Sequence, residues 1–106
     1  MTSALSAITL GGLLLVAAVD HVPRLNTAPT CAGADSDLSP TRTVAKCQES
    51  EQQARDALAA QWSNFPAADR SECVAETGIG GFPSYVQVLT CLEMARDARK
   101  LPANFE

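Results

Sequence analysis

The stretch that decides the fold is Cys73–Arg99, CVAETGIGGFPSYVQVLTCLEMARDAR. It holds two of the four cysteines, glycines at 78, 80 and 81, a proline and an apolar repeat. Tyr85, Val88, Leu89, Leu92 and Ala95 recur at helical spacing, with Cys91 one turn from both Val88 and Ala95. Pro83-Ser84 is a start signal, and Ser84-x-x-Gln87 has the form of a capping box. Arg96, Arg99 and Lys100 fall in the last turns, where the helix dipole favours cations, and Pro102 stops the run. The glycines predict a tight turn, with Gly78 closing the preceding helix in a left-handed conformation. A phosphate-cradling loop is the competing reading, but no strand precedes the glycines and no Walker Lys-Thr follows them.

Working outward, a short helix leads into the turn. Asp69-x-x-Glu72 resembles a capping box with Asp in place of Ser or Thr. Cys73, Val74 and Thr77 are its inward positions. Before it, Val44, Cys47, Glu51, Ala54, Leu58, Trp62 and Phe65 make one face of a longer helix. Ser39-Pro40 is its expected start, because a proline in the first turn lacks an amide that would be unpaired anyway. Pro66 ends it at Phe65, since a residue before proline avoids helical geometry. Glu51 and Arg55 stand four apart and are expected to pair along its flank. Trp62 and Phe65 read as core anchors; with Tyr85, they are also the aromatics with which a partner surface would be built.

The front of the chain differs in composition. Met1 to Val19 contains no charged side chain. As a helix these nineteen residues span about 28 Å, just under the hydrocarbon thickness of a bilayer. Residues 1–22 therefore read as a single transmembrane anchor, or as a signal segment cut near Val16-Ala17-Ala18. The leader MTS lacks the Lys or Arg that signal peptides normally carry, which favours the anchor. In that reading Ala7, Gly11 and Gly12 are the small residues that let the span pack closely on a neighbouring helix. Residues 23–39, rich in Pro, Ser, Asp, Thr and Ala, read as a linker, and 40–106 as the folded domain. Ala28-Pro29-Thr30 is a poor lipobox, so Cys31 does not read as an acylated N-terminus.

Cys31, Cys47, Cys73 and Cys91 are separated by fifteen, twenty-five and seventeen residues. Structural zinc needs ligands paired two to four apart, and a C-x-x-C redox pair is absent. An even number of widely spaced cysteines behind an apolar leader reads as two disulfides in an oxidising compartment, which also places the domain on the exported side. Three connectivities exist. Cys47 lies eighteen residues, about 27 Å, from the end of its helix, and Cys91 eight residues, about 12 Å, from the start of its own. If those helices run antiparallel the sulfurs are out of register, and a bridge needs Cα atoms within about 7 Å. Cys31–Cys47 and Cys73–Cys91 are therefore favoured; the alternative is Cys47–Cys91 in a helical hairpin with Cys31–Cys73.

The net charge of −4 and the scattered Lys and Arg residues exclude a nucleic-acid footprint. The only histidine, His21, follows Asp20 at the end of the apolar segment and reads as an interfacial residue rather than a ligand or proton relay. Neither a nucleophile–base arrangement nor a cofactor or metal motif is found, so no enzyme is expected.

The segments W-S-x-F, D-R-x-x-C, G-G-x-P-S-Y-V and L-x-C-L-x-M, at 62–65, 69–73, 80–86 and 89–94, resemble a group of small exported proteobacterial proteins. The resemblance covers about Cys31 to Arg99 and implies an exported, four-cysteine, mostly helical domain with no assigned activity. The front end departs from it, since those proteins usually begin with a basic leader. The expected whole is an all-α chain: a transmembrane or signal helix plus a disulfide-stapled three-helix domain. The expected role is an accessory subunit of an inner-membrane complex, respiratory or photosynthetic, that contacts membrane protein subunits and the lipid bilayer. The alternative is a free periplasmic binding or stress protein.

Overall fold

The computed structural model describes residues 20–34 and 43–102. Among them the regular structure is entirely helical. Four α-helices follow in order: α1 (Ala28–Cys31), α2 (Val44–Gln61), α3 (Ala67–Thr77) and α4 (Tyr85–Ala98), with a 3-10 turn over Trp62–Asn64. No helix among the described residues is long and apolar enough to cross a membrane. Ala7, Gly11, Gly12 and almost all of the expected span lie outside the described residues.

α2, α3 and α4 form an up-down-up bundle. Thr43, in extended geometry, accepts the Lys46 N–H on its Oγ1 at 3.1 Å and so starts α2 at Val44 rather than at Pro40. Ser39 and Pro40 themselves lie outside the described residues. α2 passes through the 3-10 turn and stops at an extended Phe65, as the following proline requires. Pro66 then leads directly into α3, which has no side-chain cap. The expected capping box is absent: Asp69 sits inside the first turn and reaches across the bundle to Arg99. Gly78 ends α3 in right-handed geometry, and the positive φ values fall one turn later, at Gly80 (+90°) and Gly81 (+81°). Ser84 caps α4 as expected, its Oγ accepting the Gln87 N–H at 3.2 Å.

The core is the stripe from the sequence plus the aromatics: Ala54, Leu58, Trp62, Phe65, Cys73, Tyr85, Val88 and Leu92. Leu58 and Leu92 are wholly buried. α3 runs antiparallel to α4 over three levels, Thr77 at Ser84, Cys73 at Cys91, and Asp69 at Arg99. α2 runs parallel to α4, with Glu51 at Tyr85 at one end and Phe65 under Arg96 at the other.

The bridges are Cys31–Cys47 and Cys73–Cys91, with Cα atoms 5.5 and 5.7 Å apart. This is the favoured pairing, though the antiparallel packing of α2 and α4 assumed in reaching it is not what forms. Parallel packing still separates Cys47 from Cys91. Cys47 lies four residues before Glu51 and Cys91 six after Tyr85, which is about 15 Å along the axis.

Of the segment expected to be a linker, the described residues 23–34 are packed on the bundle. Val22 and Leu25 lie against the core. The Leu25 N–H donates to the Tyr85 hydroxyl at 2.8 Å, and that hydroxyl donates to the Pro23 carbonyl at 3.1 Å. Thr30 Oγ1 donates to the Pro83 carbonyl at 2.5 Å. The segment thus descends α2 from the level of Trp62 to Cys47, and Asp20 stands at the C-terminal end of α2.

Candidate interaction surface

The aromatics expected to contact a partner face inward. Trp62, Phe65 and Tyr85 are 4, 4 and 7% exposed. Each is held by several elements. The Arg70 guanidinium stacks 5.7 Å from the Trp62 ring and that of Arg96 6.0 Å from Phe65. Tyr85 is tied to Pro23 and Leu25. These rings stabilise the bundle and are closed to a docking protein.

What the fold exposes instead is a set of apolar side chains that were not singled out. Ile79 (80% exposed), Phe82 (61%), Val86, Met94 (66%) and Leu101 all fall between residues 79 and 101. Val86, Thr90 and Met94 are successive exposed positions four apart, so they lie along one face of α4. Tyr85, Val88 and Leu92 of the same helix enter the core, and Gln87, Arg96, Asp97 and Ala98 are exposed polar or small positions. Ile79 and Phe82 are exposed in the turn before α4, and Leu101 beyond its C-terminal end. A sequence signal existed: from Thr77 to Leu92, through the turn and the first half of α4, no residue is charged.

The turn carrying Ile79 and Phe82 is fastened at its base. Thr77, 1% exposed, accepts the Ser84 N–H on its hydroxyl at 2.8 Å and donates to Gln87 Oε1 at 2.8 Å. Gln87 therefore turns to Thr77 rather than back to Ser84, leaving half of the expected capping box. Glu51 completes the arrangement from α2. Its Oε1 accepts the Tyr85 N–H and its Oε2 the Ser84 hydroxyl, both at 2.6 Å. The expected Glu51–Arg55 pair does not form, because the carboxylate is committed to the N-terminus of α4, where dipole and unpaired amides both attract it. At the other end Asp69 receives a two-pronged bond from Arg99 at 2.8 and 3.1 Å. That hydrogen bonding, reinforced by the charge attraction, raises the guanidinium above its ordinary pKa.

Surface hollows accompany this frame. Asp20, His21 and Ser63 share one of about 410 Å³ with Arg55 and Trp62. Among the described residues no hydrogen bond joins His21 to Asp20 or Ser63, so the residue types of a nucleophile–base site are present without its contacts. Arg24 and Arg55 line a second of about 330 Å³, with Gln48, Gln52 and Glu51. Thr30, Lys46, Ser50 and Val86 line a third of about 440 Å³ beside the free face of α4. All four cysteines are bridged, and no metal-holding cluster of His, Cys, Asp and Glu occurs among the described residues.

Comparison with protein-family models, with curated proteins and with solved structures finds no match.

Proposed function

We propose that the chain is a non-catalytic accessory subunit of a membrane protein complex in the bacterial cell envelope. The folded domain is an exported cap, the apolar segment before Asp20 holds it to the inner membrane, and the free face of α4 packs on a neighbouring protein subunit. The observation that carries this reading is the gathering of Ile79, Phe82, Val86, Met94 and Leu101 along one helix and its two ends. Large apolar side chains left exposed on a small domain are what an interaction site would use. Two disulfides support an oxidising, extracytoplasmic compartment.

A photo-crosslinking side chain at position 86 or 94, in the full chain expressed in its own envelope, tests the docking face. The same group at the exposed Gln53 on α2 is the control. Protein adducts from 86 and 94 and none from 53 are expected; equal labelling from all three overturns the assignment. The intact mass of the mature chain tests the attachment. A chain beginning at Met1 is expected, and one beginning near Val19 overturns the anchor and leaves a free periplasmic protein.

A further inference from the structure

We infer that the hollow lined by Arg24 and Arg55 is a binding site for a phosphate group. The inference goes beyond the docking role proposed above and does not depend on it, since none of the exposed apolar residues lines this hollow.

The arginines of the described residues divide into two sets. Arg99 is bonded to Asp69, Arg96 stands by Asp97 and the Phe65 ring, and Arg70 stacks on Trp62. Among the described residues the guanidinium groups of Arg24 and Arg55 have no carboxylate, hydrogen-bond or ring partner, and both line the same hollow of about 330 Å³. Contacts made elsewhere account for this. Glu51, four residues from Arg55, gives both carboxylate oxygens to the start of α4. Gln48, Glu51, Gln52 and Arg55 follow at i, i+3, i+4 and i+7 along one face of α2, and Arg24 is held over that face by Tyr85. The Tyr85 hydroxyl accepts the Leu25 N–H at 2.8 Å and donates to the Pro23 carbonyl at 3.1 Å, so the backbone is fixed on both sides of Arg24. A cation carried on an anchored backbone loses less freedom when it binds.

The donor set selects the ligand. A guanidinium presents a planar fork of N–H groups that matches the oxygens of a carboxylate or a phosphate two at a time. The Gln48 amide and the Thr27 hydroxyl line the same hollow, with no hydrogen bond to either side chain among the described residues, and add donors between the two forks. Gln52 is committed to Asp56 at 3.0 Å. A carboxylate has two oxygens and fills one fork; a phosphate group, with its oxygens on a tetrahedron, engages both. Arg24 and Arg55 against Glu51 leave the lining at +1, in a chain whose net charge is −4. The Glu51 oxygens are already occupied, so that residue opposes an anion through its charge alone. Two sources supply the group. One is a lipid headgroup, since Arg24 follows the uncharged run Met1–Val19 by five residues; the other is a soluble phosphate.

The test uses the full-length oxidised chain, carrying ¹⁵N-labelled arginine, in micelles of an uncharged, phosphate-free detergent, and reads the guanidinium N–H signals. Inorganic phosphate is expected to shift Arg24 and Arg55 together, saturably and with one midpoint, while Arg96 and Arg99 stay unmoved. Arg24→Gln is expected to weaken the response of Arg55 about tenfold, and Arg55→Gln that of Arg24, because each removes a charge-assisted pair of bonds. Arg24→Lys keeps the charge without the fork and is expected to fall between wild type and Gln. Phosphatidylglycerol added to the micelles, with diacylglycerol of the same tails as control, separates the sources. Saturation at a lower concentration than inorganic phosphate assigns the site to a lipid headgroup, and the reverse order to a soluble phosphate. Equal shifts from sodium chloride at the same ionic strength, a response at only one of the two arginines, or no response to either phosphate source overturns the site.

Discussion

The Glu51 carboxylate accepts the backbone N–H of Tyr85 at 2.6 Å, across thirty-four residues of chain. With the Ser84 hydroxyl on its other oxygen, it makes a side chain of α2 the cap of α4. The contact orders two elements at once, since the first turn of α4 cannot form in place unless α2 is beside it. Glu51→Ala removes both acceptors and leaves the Tyr85 N–H buried and unpaired, a loss of about 1–3 kcal/mol. Glu51→Gln keeps one carbonyl oxygen and is expected to lose less. Denaturant unfolding of the oxidised protein, followed by helical circular dichroism, ranks wild type above Gln above Ala.

Thr77 offers a second long-range test of the same corner. Its hydroxyl answers the Ser84 N–H, which belongs to the residue whose own side chain caps α4. Thr77→Val keeps the shape and removes the acceptor, so the cost is that of a buried amide without a partner, about 1–3 kcal/mol. Thr77→Ser keeps the hydroxyl and is expected to lose less, chiefly a methyl contact. Thermal melts that place Val below Ser support the hydrogen-bonding account, and the reverse order refutes it.

These contacts mark the boundary of what the residues disclosed. Local signals were legible. The proline after Phe65 stopped α2, Ser84 capped α4, and the 3.6-residue stripe through Ala54, Leu58 and Trp62 identified the core. Contacts distant in sequence were not. Asp69 and Glu51 both stood where a local partner was available, at a capping box and four residues from Arg55. Each instead serves a helix thirty or more residues away. The parallel course of α2 and α4 was hidden for the same reason, because the short α3 between them reverses the chain twice. The exposed apolar residues were not legible because Ile79, Phe82, Val86 and Met94 could be distinguished from core residues only after the core had been filled by Trp62, Phe65 and Tyr85.

The bridges carry a large share of the stability. Each closes a loop of sixteen or eighteen residues, worth about 3 kcal/mol in the chain-entropy account. Two together approach the whole stability of a small domain, which is at least about 5 kcal/mol. Cys73→Ala/Cys91→Ala is therefore expected to melt well below wild type, and reductant to unfold the wild type near physiological temperature. Thiol titration of unreduced protein is expected to find no free SH group.

Two glycines of the turn between α3 and α4 contrast with Gly33, which follows α1. Gly80 and Gly81 have φ of +90° and +81°, a region in which any Cβ is strained, although neither has a neighbouring atom in the way. Gly80→Ala is expected to destabilise by about 1–2 kcal/mol through backbone strain alone. Gly33 is equally open but carries no positive φ, so Gly33→Ala loses nothing in the folded state. It restricts the unfolded chain, which stabilises by about 0.4–1 kcal/mol. Opposite signs for the two substitutions in a single set of unfolding curves are the expected outcome. Equal and small effects would mean that the Ile79–Phe82 turn does not hold the conformation that presents its apolar side chains beside α4.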